Sequence, residues 1–300
     1  MTVSNAFVRP GSAETARLRR RVNGWYREHA RDLPWRAADA SPWGVFVSEV
    51  MLQQTPVARV LPVWREWLRR WPEAPALAAE PVGEAIRAWG RLGYPRRAMR
   101  LHAAAVVLSA EFDGIVPGDE QVLRSLPGVG DYTAAAVAAF AFGRSSVVLD
   151  TNVRRVLGRV LDGVAEPRPT VSVAEGARAR ALLPAGGVAA ARWSVGVMEL
   201  GALVCTARAP ACGECPLSWE CGWLAHGRPE LERSRPAQVW TGSDRHARGR
   251  LMAALRDAAD PLDTDELARA WPEPLQRERA LAGLVADGLA VGSIEGYRLP

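Results

Sequence analysis

The sequence predicts an all-α body followed by a small C-terminal module of a different pattern. Apolar residues recur at helical spacing along most of the first 203 residues, and alternating strand patterns are nearly absent there. The stretch 224–243, LAHGRPELERSRPAQVWTGS, is rich in arginine, proline and polar residues and is typical of a linker. We therefore divide the chain into a body at 1–228, a linker at 229–243 and a module at 244–300.

The helices of the body are predicted from their apolar spacing. Leu18, Val22, Trp25 and Tyr26 share one face of a helix at 13–30. Further helical stretches are separated by short turns, at 42–54, 56–70, 82–90, 95–112, 119–126, 131–142, 151–161, 174–183 and 193–203.

The C-terminal module reads as three helices and a hairpin. The helices are expected at 245–258, 264–270 and 275–287, and GLAVGSIEGYRLP at 288–300 favours two short strands. This order resembles a winged helix. A small helical cap that only packs on the body is the alternative.

Composition excludes some functions. All 38 basic residues are arginine, so no lysine can form a Schiff base, and the net charge of +5 is compatible with a polyanionic partner. No apolar run is long enough to span a membrane, and the N-terminus lacks the pattern of an export signal. We expect a cytoplasmic, nucleoid-associated protein without membrane contact.

The four cysteines of the chain indicate a metal site. Cys205, Cys212, Cys215 and Cys221 lie within seventeen residues, separated by six, two and five residues. A disulfide framework is not expected in a chain of this size without an export signal. Soft sulfur ligands favour zinc or an iron–sulfur cluster, and spacing alone does not decide between them.

Two carboxylates occupy contrasting surroundings. Glu49 follows Ser41, a predicted N-cap, and Pro42 in a helix that is apolar on nearly every side, so burial should raise its pKa. Asp150 ends the apolar run SSVVL and is a predicted helix N-cap, which should favour its charged form. A neutral acid and an anion together suit the cleavage of a glycosidic bond.

The stretch LPGVGDYT, at 126–133, places Gly128 and Gly130 just before a helix. Backbone N–H groups at such a tip can hold a phosphate without a basic side chain, although a lone GVG is usually an ordinary turn.

These motifs together resemble the helix-hairpin-helix DNA glycosylases, and specifically the adenine DNA glycosylases (MutY type, endonuclease III-like). The resemblance covers about residues 14–225 and is carried by LPW (33–35), SEVMLQQT (48–55), LGYPRRA (92–98), LPGVGDYT, LDTNVRRV (149–156), MELGALVC (198–205) and the cysteine loop. It implies two helical subdomains, and the cysteine spacing, similar to that of the family, implies a [4Fe–4S] cluster.

The resemblance also implies a role for each residue. Glu49 would protonate adenine at N7 and later assist water, Asp150 would stabilise the oxocarbenium-like sugar, and Asn152 would orient Asp150. Gln54 and Tyr94 would enter the duplex. The expected DNA contacts are Gln53, Gln54, Thr55, Leu92, Tyr94, Gly128, Gly130 and Tyr132.

Several of these residues also have a purely structural interpretation. Tyr94 could be a core aromatic residue, and Gln53 and Gln54 could be polar residues that end a helix. Arg96, Arg97 and Arg100 could clamp a phosphate or form a solvated face.

Tyr132 stands where strand-cutting relatives such as endonuclease III carry a lysine nucleophile. The resemblance therefore implies a monofunctional glycosylase, expected as a monomer on double-stranded DNA with adenine opposite 8-oxoguanine or guanine. The large C-terminal domain that reads 8-oxoguanine in the family is not recognisable. Two alternatives stay open: a thymine or uracil mismatch glycosylase of the same superfamily, and a non-catalytic iron–sulfur DNA-binding regulator.

Overall fold

A computed structural model describes residues 11–229 and 240–300. Most of the predicted linker lies outside the described residues. No helix within the described ranges is both long and apolar enough to cross a bilayer.

The described chain is predominantly helical, as the sequence predicts. The body contains helices α1 to α12, in order Ser12–His29, Pro42–Leu52, Val57–Arg70, Ala74–Ala78, Val82–Trp89, Arg96–Glu111, Glu120–Ser125, Asp131–Phe142, Thr151–Leu157, Val173–Ala181, Gly187–Leu203 and Gly222–Ala225.

Three differences from the predicted helices have local causes. The short helix α4 was not predicted, because five residues are too few to show a period. The helix predicted at 151–161 changes at Gly158 into a π-helical turn that ends at the left-handed Gly163. Helix α11 begins six residues earlier than predicted, at Gly187.

The C-terminal elements match their prediction closely. Helices α13 to α15 are Asp244–Asp257, Thr264–Ala270 and Pro274–Ala286, followed by strands β1 (Val291–Ser293) and β2 (Gly296–Arg298). The strands pair antiparallel, with Val291 opposite Arg298 and Ser293 opposite Gly296. Ser243 caps α13 and Asp263 forms a capping box with Glu266 at α14.

The described residues form two compact units, which differ from the division expected from sequence. The first contains 11–45, 118–124 and 129–229; the second contains 46–117, 125–128 and 240–300. The C-terminal module thus belongs by its contacts to the second unit. The division at 228 and 244 stays a prediction about the modules of the chain.

Each unit has its own buried core. In the first, the apolar faces of α1, α9 and α11 meet through Val22, Val156 and Val197. In the second, Trp67 lies edge-to-face on Trp71 and on Trp89, with ring centroids 4.7 and 5.6 Å apart. Aromatic pairs of this geometry contribute about 0.5–1.5 kcal/mol beyond their buried area.

Candidate functional site

Glu49 lies on α2 among core side chains. Ser41 accepts a hydrogen bond from the Gly44 amide at 3.1 Å, and the helix begins at Pro42 as predicted. Glu49 is only 5% exposed, and Phe46 and Val50 beside it are buried as well. A carboxyl group that is so little hydrated requires a partner or a purpose. The predicted pKa shift of Glu49 stays a prediction.

Asp150 caps α9 as predicted. Its Oδ1 accepts from the Val153 amide at 2.6 Å, and its Oδ2 accepts from Asn152 Nδ2 at 2.7 Å. Desolvation by burial nevertheless raises the pKa of Asp150, against the lowering effect of these hydrogen bonds and of the Arg155 charge. The expectation that capping decides the pKa was wrong, because burial outweighs it. The hydrogen bond from Asn152 is the contact through which Asn152 would orient Asp150, as the resemblance implies.

Arg155, which we did not single out in the sequence, completes this group. Its guanidinium donates to Asn152 Oδ1 at 2.7 Å, to the Gly201 carbonyl at 2.7 Å and to the Cys205 carbonyl at 2.8 Å. A chain of hydrogen bonds thus runs from the Asp150 carboxylate to the backbone of the first cysteine. Its sequence signal was weak, because an arginine in LDTNVRRV is equally compatible with a solvated helix face.

The buried side chain of Arg97 forms hydrogen bonds with both the turn after α2 and the turn before α6. Arg97 is 6% exposed and donates to the carbonyl oxygens of Val50 and Met51 at 3.1 and 2.9 Å. It also donates to Thr55 Oγ1 at 2.9 Å and to the Gly93 carbonyl at 3.0 Å.

The phosphate clamp considered for Arg97 was therefore wrong. Its donors bind carbonyl groups at the C-terminal end of α2, where a cation is favourable. Burial lowers the pKa of Arg97 to about 10, so the group remains charged at neutral pH.

Gln54 and Tyr94 lie exposed on these two turns. Both have left-handed backbone conformations, with φ of 56° for Gln54 and 47° for Tyr94. Such conformations are uncommon for residues other than glycine and cluster at functional sites. The Tyr94 side chain is 48% exposed, which excludes the core interpretation. Both side chains are thus exposed, as entry into a duplex would require, and that role stays a prediction.

The other predicted DNA contacts on these turns are less accessible. Gln53 is partly buried, and its carbonyl accepts from Arg97. Thr55 and Leu92 are buried at 6% and 3% exposure, and Thr55 Oγ1 donates to the Leu92 carbonyl at 3.3 Å. These three residues hold the shape of the turns on which Gln54 and Tyr94 lie.

The two glycines of the hairpin differ in what they require. Gly128 has φ of +78°, and a Cβ there would lie 2.7 Å from Arg100 Cβ, so a larger residue would be strained and would clash. Gly130 precedes α8 with open space around its Cα and provides no side-chain cap. Backbone N–H groups at the start of α8 are therefore suited to an anion. Tyr132 is partly buried and packs on the cluster that contains Ala135 and Ala136.

The four cysteines line one cavity, together with Arg159 and Trp223. Burial, with charge repulsion from the other three thiols, raises the pKa of Cys215 to about 11.

Arg159 is the cation of this cavity. It is 2% exposed, its Nη1 lies 3.4 Å from Cys205 Sγ, and its guanidinium lies 4.5 Å from the centre of the Trp223 ring. A buried cation beside four sulfur ligands fits a negatively charged iron–sulfur group.

Comparison with known proteins identifies the family. Residues 47–175 match the HhH-GPD superfamily of base excision DNA repair proteins, and residues 205–218 match the iron-sulfur binding domain of endonuclease III. The adenine DNA glycosylase of Mycobacterium tuberculosis (strain ATCC 25618 / H37Rv) is 48% identical over 279 residues, which cover 92% of this chain and 91% of that protein. The chain belongs to the adenine DNA glycosylase family.

The chain is also similar to thymine-DNA glycosylases, both in sequence and in solved structure. The thymine-DNA glycosylase of Aeropyrum pernix is 39% identical over 72% of this chain and 96% of that protein. The solved structure of a thermostable thymine-DNA glycosylase superposes with a TM-score of 0.65 at 26% identity, covering 71% of this chain and 97% of that one. The helix-hairpin-helix fold and the DNA glycosylase class predicted from sequence are confirmed.

Membership of this family decides the nature of the metal centre. The cofactor of the chain is a [4Fe–4S] cluster, which Cys205, Cys212, Cys215 and Cys221 would hold. When bound, such a cluster would cross-link the loop at 205–221 through its four cysteines.

Proposed function

We propose that this adenine DNA glycosylase family member removes adenine paired with 8-oxoguanine or guanine. The observation that carries the proposal is the burial of Glu49, which is 5% exposed and lies in the family motif SEVMLQQT. A carboxyl group in such surroundings is suited to remain protonated and to act as a general acid.

Glu49 would begin the reaction by donating its proton to N7 of adenine, which makes the base a better leaving group. The bond between the sugar C1′ and N9 then breaks, and the bonding electrons leave with the base. The sugar becomes oxocarbenium-like. Glu49, now deprotonated, would accept a proton from the water that attacks C1′.

Asp150 would stabilise the positive charge on the sugar. Its carboxylate is held by Asn152 and by the Val153 amide, so its direction is fixed before substrate binds. A preorganised anion avoids the reorganisation that water would require in the transition state. In the proposal, Asp150 would act on the sugar whose base Glu49 has protonated.

Adenine must leave the duplex before this chemistry can occur. Flipping costs a few kcal/mol, which wedge residues offset by filling the gap. Gln54 and Tyr94 are exposed on turns where their backbone is left-handed, and they are suited to that role. Gly128 and Gly130 would hold the phosphate backbone, with Tyr132 next to them at the start of α8.

A panel of duplexes tests the proposal. The full chain with its cluster is incubated with duplexes containing A·8-oxoguanine, A·G, T·G and U·G pairs, and released bases are identified. We expect adenine release from the first two pairs. Release of thymine or uracil alone would contradict the proposal and favour a thymine-DNA glycosylase activity instead. The similarity to the A. pernix thymine-DNA glycosylase is the observation that favours this alternative.

We also propose that the protein acts as a monomer on chromosomal DNA in the cytoplasm. One helix-hairpin-helix unit contacts one site on DNA without two-fold symmetry, because the mispair itself is asymmetric. Sedimentation of the protein with a single-mispair duplex should give a one-to-one complex, and a two-to-one complex would contradict this assignment.

A further inference from the structure

The C-terminal module brings one arginine to the exposed turn of Tyr94. Arg245, on α13, lies with its guanidinium carbon 5.7 Å from the centre of the Tyr94 ring and 5.3 Å from the centre of the Trp240 ring. Its Nη2 lies 3.4 Å from the Tyr94 hydroxyl oxygen. Tyr94 and Trp240 remain 48% and 50% exposed, so the group forms an open stack and not a core.

The module is fixed to the helices around this turn. Asp287 forms ion pairs with Arg96 at the start of α6 and with Arg248 on α13. Arg87 of α5 donates to the Ala258 carbonyl at 2.9 Å. A Cβ on Gly288 would lie 3.0 Å from Met99 Cε, so this approach is close. The position of Arg245 beside Tyr94 therefore follows from several independent contacts.

The charge of the module argues against a general phosphate-binding role. Residues 240–300 contain eight arginines and ten aspartates and glutamates, a net of −2, whereas the whole chain is +5. Non-specific affinity for DNA comes from cationic side chains that neutralise phosphates. A module with a net negative charge does not provide an excess of such side chains. A contribution of the module to DNA recognition must therefore come from particular residues.

We propose that Arg245 is a positioning residue for Tyr94, so that the C-terminal module takes part in reading the mispair. The inference rests on the proposed function, in which Tyr94 enters the duplex. Arg97 lies 5.5 Å from the same ring centre, so two guanidinium groups hold the phenol. Cation–π contacts of this kind are weakly stabilising at exposed sites, so each guanidinium favours one position of the ring. Arg245 also lies against the ring of Trp240.

Binding of two duplexes tests this inference. The holoprotein carrying Glu49→Gln, which prevents turnover, is titrated with a duplex containing A·8-oxoguanine and with the same duplex containing A·T. We expect Arg245→Ala to weaken binding to the A·8-oxoguanine duplex about threefold to tenfold, with A·T binding within about twofold, because ring positioning matters only where Tyr94 enters DNA. Arg250→Ala removes the same charge from an exposed position of α13 and should affect both duplexes equally and by less than about twofold.

A double-mutant cycle separates positioning from direct DNA contact. In a Tyr94→Ala background, Arg245→Ala should cause no further loss, because the ring that it holds is gone. An equal loss on both duplexes, or a loss that persists without Tyr94, would show Arg245 to be a phosphate contact and would overturn the inference. Arg245→Lys, which retains a cation and a donor, should recover part of the loss.

The same series distinguishes this inference from the proposed function. If the chain with native Glu49 releases adenine and Arg245→Ala behaves like Arg250→Ala, the positioning role fails and the function stands. If the chain with native Glu49 releases adenine from no duplex, the proposed function itself fails.

Discussion

Asn152 donates a hydrogen bond of 2.7 Å from Nδ2 to Asp150 Oδ2, while its own Oδ1 accepts from Arg155 at 2.7 Å. The amide is therefore held at both ends and cannot rotate without losing a bond. Because Asn152 stabilises the charged form of Asp150, it opposes the burial that raises the pKa of that carboxyl. This relationship makes the ionisation of Asp150 sensitive to its neighbours.

Asn152→Ala should move the acidic limb of the pH–rate profile. The folded-state pKa of Asp150 lies above the ordinary 3.8, and loss of the Asn152 bond should raise it further. A hydrogen bond to a charged group is worth about 1.5–3 kcal/mol, so activity at neutral pH should fall about tenfold or more. The measurement is single-turnover excision of adenine between pH 4.5 and 8. An acidic limb that stays in place would contradict this role.

The raised pKa of Asp150 in the native fold should also lower the free energy of unfolding at pH values above that pKa. A carboxyl whose folded pKa exceeds its unfolded value favours the folded state when protonated, and it opposes folding once pH rises through the folded pKa. Asp150→Asn should therefore be no less stable than the native chain at pH 7, while excision is lost. Urea denaturation of the two holoproteins measures the difference, and a large destabilisation by Asp150→Asn would contradict the assignment.

Glu199 gives the opposite pH dependence. It is fully buried and accepts from Arg31 at 2.7 Å and from Arg36 at 2.9 Å. Burial alone would raise its pKa, but the hydrogen bonds and charges of these arginines lower it to about 2. The pair therefore stabilises the fold above the ordinary carboxyl pKa of 4.5, and the contribution is lost as pH falls from there towards 2.

Glu199→Gln should destabilise the protein by about 3 kcal/mol at pH 7, because two cations lose their buried partner. Glu66→Gln, which removes an exposed carboxylate paired with Arg69, is the control and should leave the free energy of unfolding nearly unchanged. Urea denaturation at pH 7 and pH 4 compares them. An equal effect of the two substitutions at pH 7 would contradict the role assigned to Glu199.

Absence of lysine should make the enzyme release base without cutting the strand. A Schiff base at C1′ requires an amine such as that of lysine, which this sequence lacks, and the phenol of Tyr132 cannot form one. Product should appear on denaturing gels only after alkali. Tyr132→Lys should give a DNA adduct that borohydride traps, with Tyr132→Phe as the control that gives none. Full strand cleavage by the native chain without alkali would contradict the prediction.

Loss of one cysteine should remove the metal centre. Cys212→Ser should lower the bound iron substantially and the melting temperature with it, because metal binding contributes directly to folding of the loop. Ser218→Ala changes a neighbouring position of the same loop and should retain the iron. Iron analysis and thermal unfolding measure both variants. Full iron content in Cys212→Ser would show that this cysteine is not a ligand.

Local rules predicted much of the fold. The N-cap at Ser41, the start of α2 at Pro42 and the cap at Asp150 each depend on a few adjacent residues, and the structure places them as expected. The limit appears at Arg97. Most of its partners lie 42 to 47 positions away in the sequence, and nothing near it distinguishes a buried clamp from a solvated charge.

Long-range contacts explain the remaining differences. The approach of Arg245 to Tyr94 joins residues 151 positions apart and depends on how the module docks on α5 and α6. Likewise, the pKa of Asp150 depends on burial by distant residues, so the cap alone predicted the wrong direction.

Glu49→Gln tests the central claim of acid catalysis most directly. The isosteric amide cannot donate a proton to adenine, so single-turnover release from an A·8-oxoguanine duplex should fall at least about 100-fold, with binding of the same duplex retained. Glu111→Gln, at an exposed position of α6, should keep full activity. Adenine release by Glu49→Gln at the native rate would contradict the account.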